Sequence, residues 1–147
     1  MKLGTMMLCG ALAVPALLAV TPAMSADDFW PKDARVYIIS PKDGATVKSP
    51  VEVVFGLEGL GVAPAGVDHA MTGHHHLLID TPAPTGADLE DALIKDEQHV
   101  HFGGGQTEAS VKLAPGRHTL QLIMGDANHI PHNPPLVSKV VTINVEK

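Results

Sequence analysis

EASVKLAPGRHTLQLIMGD, from Glu108 to Asp126, is the stretch whose reading decides the fold class. Ala109, Val111 and Leu113 alternate with Ser110 and Lys112, the period of two that gives a strand one buried and one wet face. Pro115 presets φ for a turn, and Gly116 tolerates the positive φ that follows. Leu120 and Leu122 then resume the inward face. The spacing predicts a β-hairpin closed by APGR, Ala114 to Arg117.

The same alternation extends outward in both directions. In PVEVVFGLEG, Val51, Val53, Phe55 and Leu57 share one face, while Glu52 and Glu58 point the other way. SKVVTINV turns Val141, Ile143 and Val145 inward. ARVYIIS (Ala34 to Ser40) is rich in β-branched and aromatic residues and stops at the turn PKDG, Pro41 to Gly44. With HHHLLID included, about seven short strands are expected. GADLEDALIK (Gly86 to Lys95) puts Leu89, Ala92 and Leu93 on one side, which predicts two helical turns. The fold class is therefore all-β: an immunoglobulin-like antiparallel β-sandwich of about seven strands. Its core is aliphatic, because the chain has only one Trp, one Tyr and three Phe. Two connections are long, Glu58 to Gly73 and Thr81 to Gln98, and such loops in a compact domain carry function or lack order.

Residues 1–26 read as a secretory signal peptide. Lys2 supplies the positive start, Leu8 to Val20 the apolar centre, and TPAMSA the small residues for cleavage. Residues 27–147 then form a single domain, opened by a polar and loosely ordered leader, DDFWPKDA. The apolar stretch is too short and too interrupted by proline for a comfortable membrane span, so no membrane anchor is expected after cleavage. The expected compartment is the periplasm. Cys9 falls inside the leader, which leaves the exported domain without thiol, disulfide or cysteine ligand. Loss of Lys2 takes the formal charge from −6 to −7. An acidic surface without a basic patch disfavours nucleic acid and mildly favours cations.

Nine histidines are the unusual feature, and seven of them fall in three clusters. His74, His75 and His76 open TGHHHLLID; His99 and His101 lie in QHVHFGGG; His129 and His132 flank Pro131 in NHIPHNPP. Strand residues i and i+2 project from one face about 6.6 Å apart. His74 with His76, and His99 with His101, thus form pairs that can converge on one ion. Three or four imidazole nitrogens at about 2.0–2.1 Å complete a site for Zn²⁺ or Cu²⁺. The bland alternatives are a polar strand end, an exposed edge and a turn whose rings bond carbonyls. Parity leaves one question open: Leu77 and Ile79 share a face with His75, Leu78 and Asp80 with His74 and His76, and either face can be the core. His118 shares a face with Leu120 and Leu122 and reads as a core or rim histidine.

Sulfur ligation has little support, since only Met71 and Met124 follow the leader. Asp80, Glu108 and Asp126 are available as carboxylate ligands or as partners of the imidazoles. Protons compete for imidazole, so metal binding should weaken below about pH 6.5. GGG (Gly103 to Gly105) lacks the rest of a P-loop and reads as a bulge or tight turn. No GxSxG elbow surrounds Ser110 or Ser138, and no catalytic residue is assigned. A metal hydrolase would need an open coordination position and a poised base, which nothing here demands.

YIISPKDGATVKSPVEVVFGLEGLGVAPAG, TGHHHLLID, HFGGGQTE, LAPGRHTLQL and GDANHIPHNPP together resemble the exported bacterial family grouped as the domain of unknown function DUF4399. The motif positions that match include His74, His75, His76, His101, Asp126, His129 and His132. The opening SPKDGATVKSPVEVVF is also similar in strand pattern to the periplasmic copper carriers of the CopC type, although their N-terminal histidine has no counterpart in this chain. These observations point to a periplasmic metal-binding protein for copper(II) or zinc, in metal carriage or homeostasis. The expected ligands are His74, His76, His101, His129 and His132. The rival reading is a non-metal binding module, whose histidines and Gly/Pro loops form a recognition surface for an envelope protein.

Overall fold

Two sheets face each other across the apolar side chains that the alternation marks out. The computed structural model describes residues 29–147; the signal peptide read over 1–26, with Cys9, lies outside the described residues. Nine strands run in order: β1 (Arg35–Ser40), β2 (Ala45–Lys48), β3 (Val51–Glu58), β4 (Gly61–Val62), β5 (Thr72–Ile79), β6 (His99–His101), β7 (Glu108–Val111), β8 (Gly116–Gly125) and β9 (Val141–Glu146). One sheet has the order β1-β3-β7; the other has β2-β9-β8-β5-β4, with β6 also paired to β5. Val53 and Phe55 of β3, Leu77 of β5, Leu120 and Leu122 of β8 and Ile143 of β9 belong to one buried cluster. Full burial of such a side chain stabilises by about 1.5–3 kcal/mol. The all-β sandwich is the expected architecture, and the inward parity of β3, β8 and β9 is as read from the sequence. No helix among the described residues is long and apolar enough to cross a membrane.

Four local expectations are corrected. APGR does not close a hairpin: β7 pairs with β3, Val111 opposite Val51, while β8 lies in the other sheet between β5 and β9. The two inward faces thus oppose each other across the core instead of lying side by side, which removes more apolar surface from water. Nor is the larger sheet purely antiparallel, because β2 pairs with β9 and β4 with β5 in parallel. GADLEDALIK makes only one 3₁₀ turn, Gly86–Glu90, with no side-chain cap from Thr85 and an extended Asp91 at its end. The Leu93 N–H that a longer helix would use donates instead to His129 O. Finally, the leader is anchored from Phe29 onward. Trp30 is 5% exposed and its Nε1–H donates to Pro131 O at 2.6 Å.

Candidate metal centre

Ladder registers decide which histidines meet. β5 pairs with β8 so that His75 lies opposite Met124, Leu77 opposite Leu122 and Ile79 opposite Leu120. Residues directly opposite share a face. His75 therefore points into the main core, where its ring lies 5.1 Å from that of Phe55. His74 and His76 occupy the other face, opposite Gly125 and Ile123. On the far side of β5, His101 of β6 pairs directly with His76, which brings it to that same face.

The outer face of the sheet is dry. His74 and His76 are 0% and 1% exposed, and Leu78 and Ile123 beside them are equally buried. The two long connections supply the cover. Ala65 N–H donates to Gly103 O, Gly66 N–H to Ala127 O and Leu93 N–H to His129 O. Each of these bonds ends beside a clustered histidine or on one, so both long loops are stitched to this site.

Four imidazoles converge there. Ring centroids of His74, His76 and His101 lie 4.9–5.0 Å apart. His129 adds a fourth ring, at 5.0 Å from His74, 5.9 Å from His76 and 4.7 Å from His101. Nitrogens of His74, His76 and His101 all fall within 4.8 Å of one another, a group that could hold a metal ion. A metal with bonds of 2.0–2.1 Å keeps neighbouring nitrogens about 2.9–3.4 Å apart. The Nε2 atoms of His74 and His76, 3.0 Å apart, already stand at that separation.

Glycines leave the room. A Cβ at Gly125 would lie 2.9 Å from His76 Nε2 and 3.2 Å from His129 Cα, and one at Gly103 would run into the His101 ring. Gly105, with φ +79°, serves the turn expected of the glycine triplet. Gly125 is the spacing residue that sequence reasoning missed. Its only signal is a glycine that directly follows the apolar run Leu122–Met124.

Burial, above all, keeps His74, His76 and His101 neutral. Burial, then repulsion from His101 and His129, pushes His74 down to about 4. Burial, then the neighbouring His74, pushes His76 to about 3. His101 is lowered too, by burial and then by His129. Neutral imidazole is the form that binds metal. No protein group bonds Nδ1 of His74, Nδ1 of His76 or Nε2 of His101, although all three atoms are buried. Where two neutral rings share one Nε2–Nε2 hydrogen bond, the ring that accepts it carries its proton on Nδ1, so a buried N–H is left without a partner. Such an orphan costs about 1–3 kcal/mol.

The remaining candidates sit elsewhere. His132, expected as a ligand, is turned away: its Nε2 bonds Asp126 Oδ2 at 2.9 Å and its ring stacks 3.6 Å from Phe29. The cause is the backbone of the loop, with left-handed φ at both His129 (+72°) and His132 (+60°). That geometry sends the two rings to different sides. His99 bonds Asp96 at 2.8 Å, and His69 is exposed. His118 is the rim histidine expected, held by Asp80 at 2.7 Å and by Ala114 O. Glu108 is exposed on the opposite sheet. Asp126 bonds the His132 ring and ties the loop that carries His129. Burial alone would raise its carboxyl, yet N–H bonds from Ile130 and Asn128 and the His132 ring hold it low.

Fold and site together define an all-β sandwich with a buried imidazole cluster on the outer face of its larger sheet. The chain belongs to the family described as a domain of unknown function (DUF4399), whose family model matches residues 53–146. The match spans His74, His76, His101 and His129. No curated protein and no solved structure matches the chain.

Proposed function

We propose that this protein binds copper(II) or zinc in the periplasm through His74, His76, His101 and His129, and serves metal carriage or homeostasis. One observation carries the reading: two buried histidines and a partly buried one, from two paired strands, place nitrogens within 4.8 Å of one another. Burying that many polar rings with orphaned nitrogens is unfavourable unless a ligand uses them. The donor set is all nitrogen, which suits Zn²⁺ and Cu²⁺, and intrinsic affinity favours Cu²⁺. Burial also speaks for the metal over a recognition surface, since a partner cannot touch the His74 and His76 rings at 0% and 1% exposure. The signal-like segment over 1–26 supports the compartment.

Calorimetric titration with Cu²⁺ and Zn²⁺ tests the proposal, together with elemental analysis of protein isolated from the cell envelope. The parent should bind one ion, and His76→Ala should bind none. Equal binding by parent and His76→Ala, or no binding by either, overturns the assignment.

A further inference from the structure

The fourth imidazole differs from the other three in how it is held. His74, His76 and His101 ride on strands whose ladders fix them. His129 stands on a loop with left-handed backbone at a non-glycine residue, a conformation that persists only where its surroundings over-determine it. Those surroundings can be named. Asp126 Oδ1 accepts the N–H groups of Asn128 (2.7 Å) and Ile130 (2.9 Å), on either side of His129. His129 N–H donates to Asp126 O, and Asp126 N–H to Ile130 O. Asp126 Oδ2 takes His132 Nε2–H, so the carboxylate of one buried residue gathers the whole turn.

The outer side of the turn is clamped as well. Trp30 Nε1–H donates to Pro131 O, and Phe29 lies flat on His132, with ring planes 9° apart. The Trp30 ring also packs on Gly73, where a Cβ would come within 2.9 Å of it. Gly73 directly precedes His74. The N-terminal aromatic pair thus touches both the loop of His129 and the strand of His74.

We propose that Asp126 is the positioning residue of the metal centre and that Phe29 and Trp30 lock the same loop from outside, so that together they set how firmly His129 closes over a bound ion. His132 is a strut in this device and not a ligand. The inference rests on the metal reading above and adds residues that touch no metal. Partners that orient ligating histidines typically change metal affinity 10–100-fold when removed.

The test uses Co²⁺ as an optical probe of coordination number and Zn²⁺ for release to a chelator, on the whole protein. Asp126→Ala should convert four-coordinate Co²⁺ to a weaker, higher-coordinate spectrum, with one nitrogen fewer by X-ray absorption and affinity down about 10–100-fold. Asp126→Asn, which keeps an oxygen for both N–H groups, should recover much of the loss. Phe29→Ala should speed Zn²⁺ release about 10-fold without unfolding the domain, because Phe29 is half exposed. Adding Asp126→Ala to His129→Ala should change nothing further. Parent-like spectra and release rates in both Asp126→Ala and Phe29→Ala, with binding lost only in His76→Ala, overturn this inference and leave the metal reading standing. A parent that binds neither ion overturns both. If Asp126→Ala fails to fold, the Zn²⁺ release rate of Phe29→Ala decides.

Discussion

Without metal, this protein should be destabilised by mild acid, and the size of the effect follows from three histidines. His74 and His75 are held down to about 4 and His76 to about 3, in each case first by burial. In the unfolded chain all three titrate near 6.5. Between those values the unfolded state binds protons that the folded state refuses, so folding stability falls as pH falls. The loss begins near pH 6.5 and continues until the folded rings themselves titrate. At pH 5 each ring withholds about 2 kcal/mol, a figure governed by the unfolded value because the folded values lie well below 5. The three together come to about 6 kcal/mol, against a total stability of about 5–15 kcal/mol for a domain. His118 acts in the opposite sense: its bond to Asp80 raises it, so its contribution is complete below 6.5 and is lost as pH rises through its folded value. Asp80 and Asp126 are lowered and contribute no change between pH 7.5 and 5, since their losses begin only near the ordinary carboxylate range. Thermal unfolding with chelator present should therefore show Tm falling on the order of 20 °C between pH 7.5 and 5. A Tm that stays level or rises over that interval would refute the reasoning.

Three further outcomes are expected. His75→Leu should keep metal affinity while removing about a third of the acid loss, because the ring faces the core and neither of its nitrogens has a hydrogen-bond partner; paired pH–Tm curves and calorimetry measure both. Gly125→Ala forces a Cβ against His76 Nε2 and His129 Cα, which should cost about 1–3 kcal/mol in denaturant titration and abolish tight metal binding. Zn²⁺ at a hundred times its dissociation constant should add about 3 kcal/mol at pH 7.5, read as a higher urea midpoint with unchanged slope.

Much of the fold was legible because strand parity is local. Val51, Val53 and Phe55, or Val141, Ile143 and Val145, declare their face through neighbours two residues away, and all six belong to the core cluster. Pairing is not local. APGR is compatible with a hairpin or with a crossing between sheets, and only the burial of both apolar faces against each other selects the crossing. The short strands β2 and β4 escaped notice because four- and two-residue segments carry too little alternation, and their parallel partners lie far away or across a loop. Phe29 and Trp30 read as part of a loose leader in the sequence. Their own segment offers no periodic partner, and what orders them is Pro131 and His132, a hundred residues on.

The candidate site divides along the same line. Which side chains can donate nitrogen is a matter of residue type, and i, i+2 spacing already groups His74 with His76, so the amino-acid sequence alone determined the chemistry available. The tertiary structure decided everything that depends on distant backbone. The β5–β8 register turned His75 inward and its neighbours outward. The β5–β6 register set His101 beside His76. The left-handed turn tied by Asp126 chose His129 over His132. Ligand identity is encoded one residue at a time, whereas convergence depends on hydrogen-bond registers and backbone angles that exist only once remote segments have paired.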